Sequence, residues 1–267
     1  MNTVWVFDVD GVITDPQEKQ ITQPEILDQI ISRLEKEDPV AFVTGRALEW
    51  VSERIISQLE SRINDSKLLN NFFVSGEFGG SSITYGQGVR KEFINRDFRI
   101  DQRIIDEVLE LTMQKFPDSM QFDKDKKTMV SIEMKDGLTV EQFKPIQKEL
   151  TPILKKILIN HPGKDLEVQE DLIATNIKNK RANKAFATQQ LINWIENKKI
   201  KIGQYVAVGD NFKSDVLIAE EIDLEELTVE FVYVGKENID TSKYSFPIKQ
   251  TKNKFEKGTL EYLKSKI

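Results

Sequence analysis

Four side chains that could do chemistry together stand just beyond short apolar runs. Asp8 and Asp10 close the run that begins Thr3-Val-Trp-Val-Phe7, Thr44 follows Pro39-Val-Ala-Phe-Val43, and Asp210 follows Tyr205-Val-Ala-Val208 and Gly209. Runs this short read as buried strands rather than helices. In an open parallel sheet, functional groups gather at the carboxyl ends of the strands. Side chains two apart on a strand point to the same face, so Asp8 and Asp10 can converge on one place. Two carboxylates ~4 Å apart repel by roughly 4 kcal/mol at an effective dielectric of 20. Acids kept that close call for a cation. The chain has no cysteine and a single histidine, His161, which excludes zinc–thiolate, iron–sulfur and multi-histidine sites. Oxygen ligands alone favour Mg²⁺. Asp10-Gly11 taken alone reads equally well as a turn or cap, but Asp8, Asp10, Thr44 and Asp210 together do not.

The elements that must position these groups follow from periodicity. Pro24 to Lys36 carries Ile26, Leu27, Ile30, Ile31 and Leu34 at helical spacing after a proline start. Thr44-Gly45-Arg46 opens a second predicted helix, to about Leu59, and Phe72-Phe73-Val74 reads as a third strand. Strand and helix in alternation is the pattern of a parallel α/β sheet. It changes after about residue 76. Closely spaced glycines at 76, 79, 80, 86 and 88 suggest a hairpin or hinge. Then come a helix near 102–115, strands near 120–123 and 128–134, a helix over 140–158, and strands near 166–168 and 172–175. That order predicts a small antiparallel α+β module inserted into the parallel domain. The parallel pattern returns with a helix over 182–197, the strand at 205–208, a helix at 216–221, a strand at 229–234 and a C-terminal helix over 255–263.

Composition narrows the class. The 267 residues are 39% hydrophobic and 31% charged, ample for a folded core without disulfides. The formal net charge of -6 argues against a general nucleic-acid binder. No apolar run approaches the ~20 residues of a membrane span, and no secretory signal is read, so the expected location is the cytoplasm and no membrane partner is expected. Oligomeric state is not readable. Asp123-Lys-Asp125 hints at a calcium loop, but Thr128 and Met134 occupy the positions that need Gly and Glu. Gly163-Lys164 is followed by Asp165, so no Walker sequence is present. His161 reads as a loop histidine, and Glu77 as a turn residue or a substrate contact from the hinge.

Phe7-Asp-Val-Asp-Gly-Val-Ile-Thr14 resembles the first motif of the haloacid dehalogenase superfamily, an apolar run followed by DxDx(T/V). Val43-Thr-Gly-Arg46 resembles its second motif. Lys184, at the start of a helix, fits the third, and Val208-Gly-Asp-Asn-Phe-Lys-Ser-Asp215 fits the fourth, GDxxxSD. The resemblance covers roughly 1–80 and 178–240. It implies a Rossmann-like parallel-sheet core, 1–83 and 178–267, with an inserted α+β cap of type C2 at 84–177. The cap is similar to the C2B variety of trehalose-6-phosphate and sucrose phosphatases, Cof-like enzymes and phosphomannomutases. The longer GDxxxSD spacing is more usual in other branches, so no single subfamily follows.

The resemblance further implies a Mg²⁺-dependent phosphomonoesterase that hydrolyses a small phosphorylated metabolite, by cap type a sugar phosphate, through an aspartyl-phosphate. Asp8 would be the nucleophile and Asp10 the general acid, then base. Mg²⁺ would be held by Asp8, the backbone carbonyl of Asp10, and Asp210. Lys184 would neutralise Asp8 and the phosphoryl oxygens. The Thr44 hydroxyl and the Gly45 amide, at a helix N-terminus, would donate to the phosphoryl group. Asp215 would orient Lys184 or a metal-bound water, with Asn211 nearby. Arg46 reads equally as a substrate ligand, or as a surface residue or one that supports another site residue. Thr44 could also cap its helix, and Lys178, Lys180 and Arg181 compete with Lys184, which Asn183 favours as an N-cap. A phosphomutase, a non-catalytic phosphosugar-binding protein and a receiver-like phosphoacceptor are the rival readings.

Overall fold

Strand β1 (Asn2–Phe7) lies mid-sheet, flanked in parallel by β10 (Ile202–Gly209) and β2 (Val40–Val43). This computed structural model describes residues 1–162 and 165–266; Gly163 and Lys164, tested above for a Walker sequence, lie outside the described residues. Beyond β10 follow β11 (Val229–Tyr233) and β12 (Ile248–Gln250), and beyond β2 lies β3 (Phe72–Gly76), all parallel. The chain then turns back into β4 (Ser81–Gly86), antiparallel to β3, and β5 (Val89–Ile94) closes the order β12-β11-β10-β1-β2-β3-β4-β5.

Register sets the site. Phe7 stands opposite Val208 on one side and Phe42 on the other, so the residues leaving β1, β10 and β2 emerge level with one another. The strands are apolar on both faces because helices cover both. Phe7, Phe42 and Phe72 face α1 (Glu25–Glu35) and α7 (Glu256–Lys264), packing with Ile26, Ile30 and Leu263. Val4, Val6 and Ala41 face α5 (Lys184–Lys198) and α6 (Phe212–Leu224), packing with Leu191 and Ile218. A further helix, α2, runs over 48–60 and carries a π-helical stretch, Ser52–Ile56.

By its internal contacts the chain forms two compact units, Met1–Phe93 with Asn183–Ile267, and Ile94–Ala182. The sequence put these boundaries at 83/84 and 177/178. The hairpin strands β4 and β5 continue the large sheet, which moves the first division later. The inserted unit holds α3 (Gln102–Lys115), β6 (Met120–Phe122), β7 (Val130–Met134), α4 (Val140–Asn160), β8 (Leu166–Glu170) and β9 (Ala174–Asn179). Its strands pair antiparallel in the order β6-β7-β9-β8. Val130, Ile132 and Ile177 pack with Val108, Phe143 and Leu154 of the two helices. A capping box between Thr139 and Gln142 starts α4.

Three expectations shift. The helix after Thr44 begins only at Leu48. The strand expected at 172–175 runs instead from Ala174 to Asn179, and exposed Leu172 precedes it. The helix expected at 216–221 begins at Phe212. Among the described residues, no helix is long and apolar enough to cross a membrane.

Phe42 is fully buried, its ring edge-on to Phe7 at 6.3 Å and to Phe72 at 5.0 Å. Phe42→Ala is expected to cost about 3–5 kcal/mol, read as a lower urea midpoint with an unchanged denaturant slope.

Candidate functional site

Asp8 is the first residue beyond β1, and its amide donates to the Val208 carbonyl at 3.0 Å, which extends the ladder by one rung. The chain then turns sharply. The Ile13 and Thr14 amides donate to the Val9 carbonyl at 2.9 and 3.1 Å, and Gly11 takes φ +72°. Gly11 is required for space as well. A Cβ there would lie 2.3 Å from Oδ2 of Asp210, so glycine lets the Asp210 carboxylate close on the β1 turn.

Lys184 opens α5, with Asn183 as its N-cap accepting from the Phe186 amide at 2.9 Å. The Lys184 ammonium is buried and sits 2.7 Å from Asp8 Oδ1 and 2.7 Å from Asp215 Oδ1. Asp215, fully buried in the first turn of α6, is saturated. Its Oδ1 also accepts from Ser214 Oγ at 2.7 Å, and its Oδ2 accepts from the amides of Asp210 and Asn211 at 2.9 Å each. It therefore fixes both the lysine and the backbone that carries Asp210. Asn211 itself is exposed and caps α6 without a side-chain hydrogen bond.

At the end of β2, the Thr44 amide donates to Ser75 and the Phe78 amide to the Thr44 carbonyl, at 2.9 and 3.0 Å. Thr44 Oγ1 accepts from the Arg46 amide at 3.1 Å, which leaves the hydroxyl proton to be donated elsewhere. Gly45 is not at a helix N-terminus, as the sequence suggested. It lies in a bend, and the helix starts three residues later behind Ala47. A Cβ on Gly45 would sit 2.5 Å from the Phe78 ring, so this glycine makes room for that ring. Glu77 is buried and accepts from Ser81 Oγ at 3.2 Å.

The carboxylate of Asp10 points to a different partner from that of Asp8. Arg46 Nε and Nη2 donate to its two oxygens at 2.9 and 2.8 Å, and the guanidinium lies 4.6 Å over the Trp50 ring. Asp8, Asp210 and Asp215 are the acids brought together, each with an oxygen within 4.8 Å of the others. Thus Asp8, Lys184, Asp210 and Asp215 gather directly, while Asp10 is held by Arg46 beside Thr44. Phe78, Ser214 and Trp50 were not foreseen. The Ser in GDxxxSD was the one available signal among them.

One ammonium among these carboxylates leaves an excess of negative charge. Burial pushes Asp8 up from 3.8 to about 7; Lys184 opposes the rise, and Asp215 and Asp10 add to it. Burial likewise takes Asp210 up to about 8, with Asp8 and Asp215 adding to the shift. Burial alone would lower Lys184, but Asp215 and Asp8 outweigh it and hold the ammonium above its ordinary value. A site that makes two carboxylates reluctant to ionise suits a divalent cation. Asp215 has its oxygens filled by donors, whereas the Asp210 carboxylate accepts no hydrogen bond among the described residues. Asp8 and Asp210 are therefore the carboxylates that fit such an ion.

No protein-family model matches the chain, and the search of curated proteins finds no match. Solved structures do match. A trehalose-6-phosphate phosphatase related protein is similar at a TM-score of 0.59 and 16% identity, over 98% of this chain and 96% of that one. The chain has the haloacid dehalogenase fold. Trehalose-6-phosphate phosphatase of Aspergillus fumigatus is similar at 0.53 and 16%, over 100% and 93%. IMP-bound, N-terminally truncated IMP-nucleotidase of Plasmodium falciparum is similar at 0.59 and 15%, over 99% and 68%. At such identities the likeness is one of fold.

Unfolded, both carboxyls ionise near 3.8, whereas in the fold Asp8 holds its proton to about 7 and Asp210 to about 8. The folded chain binds more protons than the unfolded one across that window, so stability falls as pH rises through it. The melting temperature in EDTA is expected to drop steadily between about pH 5 and pH 8. A flat or rising profile would contradict the charge excess.

Proposed function

We propose that the chain is a phosphomonoesterase that hydrolyses a small phosphorylated metabolite by transferring the phosphoryl group to Asp8. The observation that carries this reading is the buried Lys184 ammonium, 2.7 Å from Asp8. A carboxylate that attacks a phosphate dianion needs positive charge beside it, and Lys184 supplies that charge next to Asp8. In the first half, an Asp8 oxygen bonds to phosphorus while the bond to the leaving oxygen breaks and Asp10 protonates that oxygen. In the second, Asp10 takes a proton from water, the water oxygen bonds to phosphorus, and Asp8 is released with inorganic phosphate. The Thr44 hydroxyl and the Gly45 amide hold the phosphoryl oxygens, and Lys184 offsets their charge. Asp215 keeps Lys184 aimed.

Asp8, Asp210 and the backbone carbonyl of Asp10 would hold Mg²⁺, whose charge offsets that of the phosphoryl oxygens. A sugar phosphate is the substrate class we favour. The insertion, four antiparallel strands with two helices, supports the resemblance to the C2-type cap of sugar-phosphate phosphatases, and the similar solved structures include a trehalose-6-phosphate phosphatase and a protein related to one. In this reading the inserted unit, Ile94–Ala182, is the cap that excludes water during transfer.

Purified protein is expected to turn over p-nitrophenyl phosphate and members of a sugar-phosphate panel in Mg²⁺. Asp8→Asn, and separately EDTA, should each reduce turnover by on the order of a thousandfold or more. Activity that survives either treatment counts against the mechanism.

A further inference from the structure

Arg46 is anchored at every end. Its amide donates to Thr44 Oγ1 at 3.1 Å, and its carbonyl accepts from the Glu77 amide at 3.0 Å. Its guanidinium stacks over Trp50 at 4.6 Å and grips Asp10 through two hydrogen bonds of 2.9 and 2.8 Å. The side chain of Arg46 is 14% exposed and that of Asp10 35%, so the pair is partly buried, with the arginine the better enclosed of the two. Asp10 and Thr44 belong to different chain segments, the turn after β1 and the end of β2. The Arg46 fork connects them, with its backbone on the phosphoryl-binding threonine and its guanidinium on the acid. A planar fork fixes the carboxylate plane in a way that a lysine point charge cannot.

Resting on the phosphatase reading above, we propose that Arg46 is a positioning residue for Asp10, one that registers the proton-transferring carboxylate against the phosphoryl cradle at Thr44. This role differs from that of a phosphoryl ligand: two of the five N–H donors of the guanidinium, on Nε and Nη2, are committed to the Asp10 carboxylate.

This role separates from phosphate binding by its dependence on the leaving group. An alkoxide needs protonation to depart, whereas p-nitrophenolate does not. In Arg46→Ala, kcat/KM for an alkyl phosphate is expected to fall by about a hundredfold or more, while that for p-nitrophenyl phosphate stays within about threefold. Arg46→Lys, which keeps the charge but loses the fork, should show the same selective defect to a smaller degree. It also keeps the test valid should the alanine variant fail to fold. Guanidinium added to Arg46→Ala should restore the alkyl phosphate selectively. An equal loss on both substrates, as a phosphoryl ligand or general misfolding would give, overturns the proposal, as does no loss on either. If the unaltered chain turns over neither substrate, the phosphatase reading itself fails, and this proposal with it.

Discussion

One buried ammonium stands among buried carboxylates, and the site depends on how that imbalance is held. Lys184 bridges Asp8 and Asp215 at 2.7 Å to each. Removing two charges from water costs several kcal/mol per ion in proteins, so such a bridge persists only where geometry and further hydrogen bonds satisfy it. Asp215 meets that condition through Ser214 and two backbone amides. Asp8 and Asp210 meet it less fully, and they are the carboxyls driven up to about 7 and 8. In the proposed function, the residual negative charge would draw a cation and the lysine beside Asp8 would offset the charge of a phosphoryl group.

The fold supplies the constraint that keeps these groups level. β1 pairs in parallel with both β2 and β10, and the Phe7 register fixes where each strand ends. Helix α5 then delivers Lys184 from beyond an insertion of the chain, with Asn183 marking where the helix starts. Close approach at the β1 turn is possible because Gly11 has no side chain. The same economy operates at Gly45, whose missing side chain admits the Phe78 ring. These are local concessions that serve long-range convergence.

Much of this was legible because it is local in sequence. A short apolar run that ends in acids announces a buried strand with a functional tip, and the Asn183–Lys184 step announces a capped helix. The partner of Asp10 was not legible. Arg46 lies 36 residues away, and nothing in Thr-Gly-Arg says whether its guanidinium meets a substrate or an acid. The start of α2 was misplaced because Thr44 resembles a cap, yet its hydroxyl accepts from the Arg46 amide in a bend ahead of the helix. The course of β9 was hidden by its own polarity, since buried Thr175, Asn176, Lys178 and Asn179 interrupt the apolar pattern that marks a core strand. Three-residue β12 offers too little pattern to register at all.

The most direct measurement is to look for the covalent intermediate that the proposed function requires. A phosphoryl-labelled substrate is mixed with the purified chain, the reaction is quenched in acid, and the labelled peptide is sequenced by mass spectrometry. The label should reside on Asp8 as an acyl phosphate, stable in acid, cleaved by hydroxylamine and absent from Asp8→Asn. Label on any other residue would contradict the account, as would turnover with no label on the chain at any quench time.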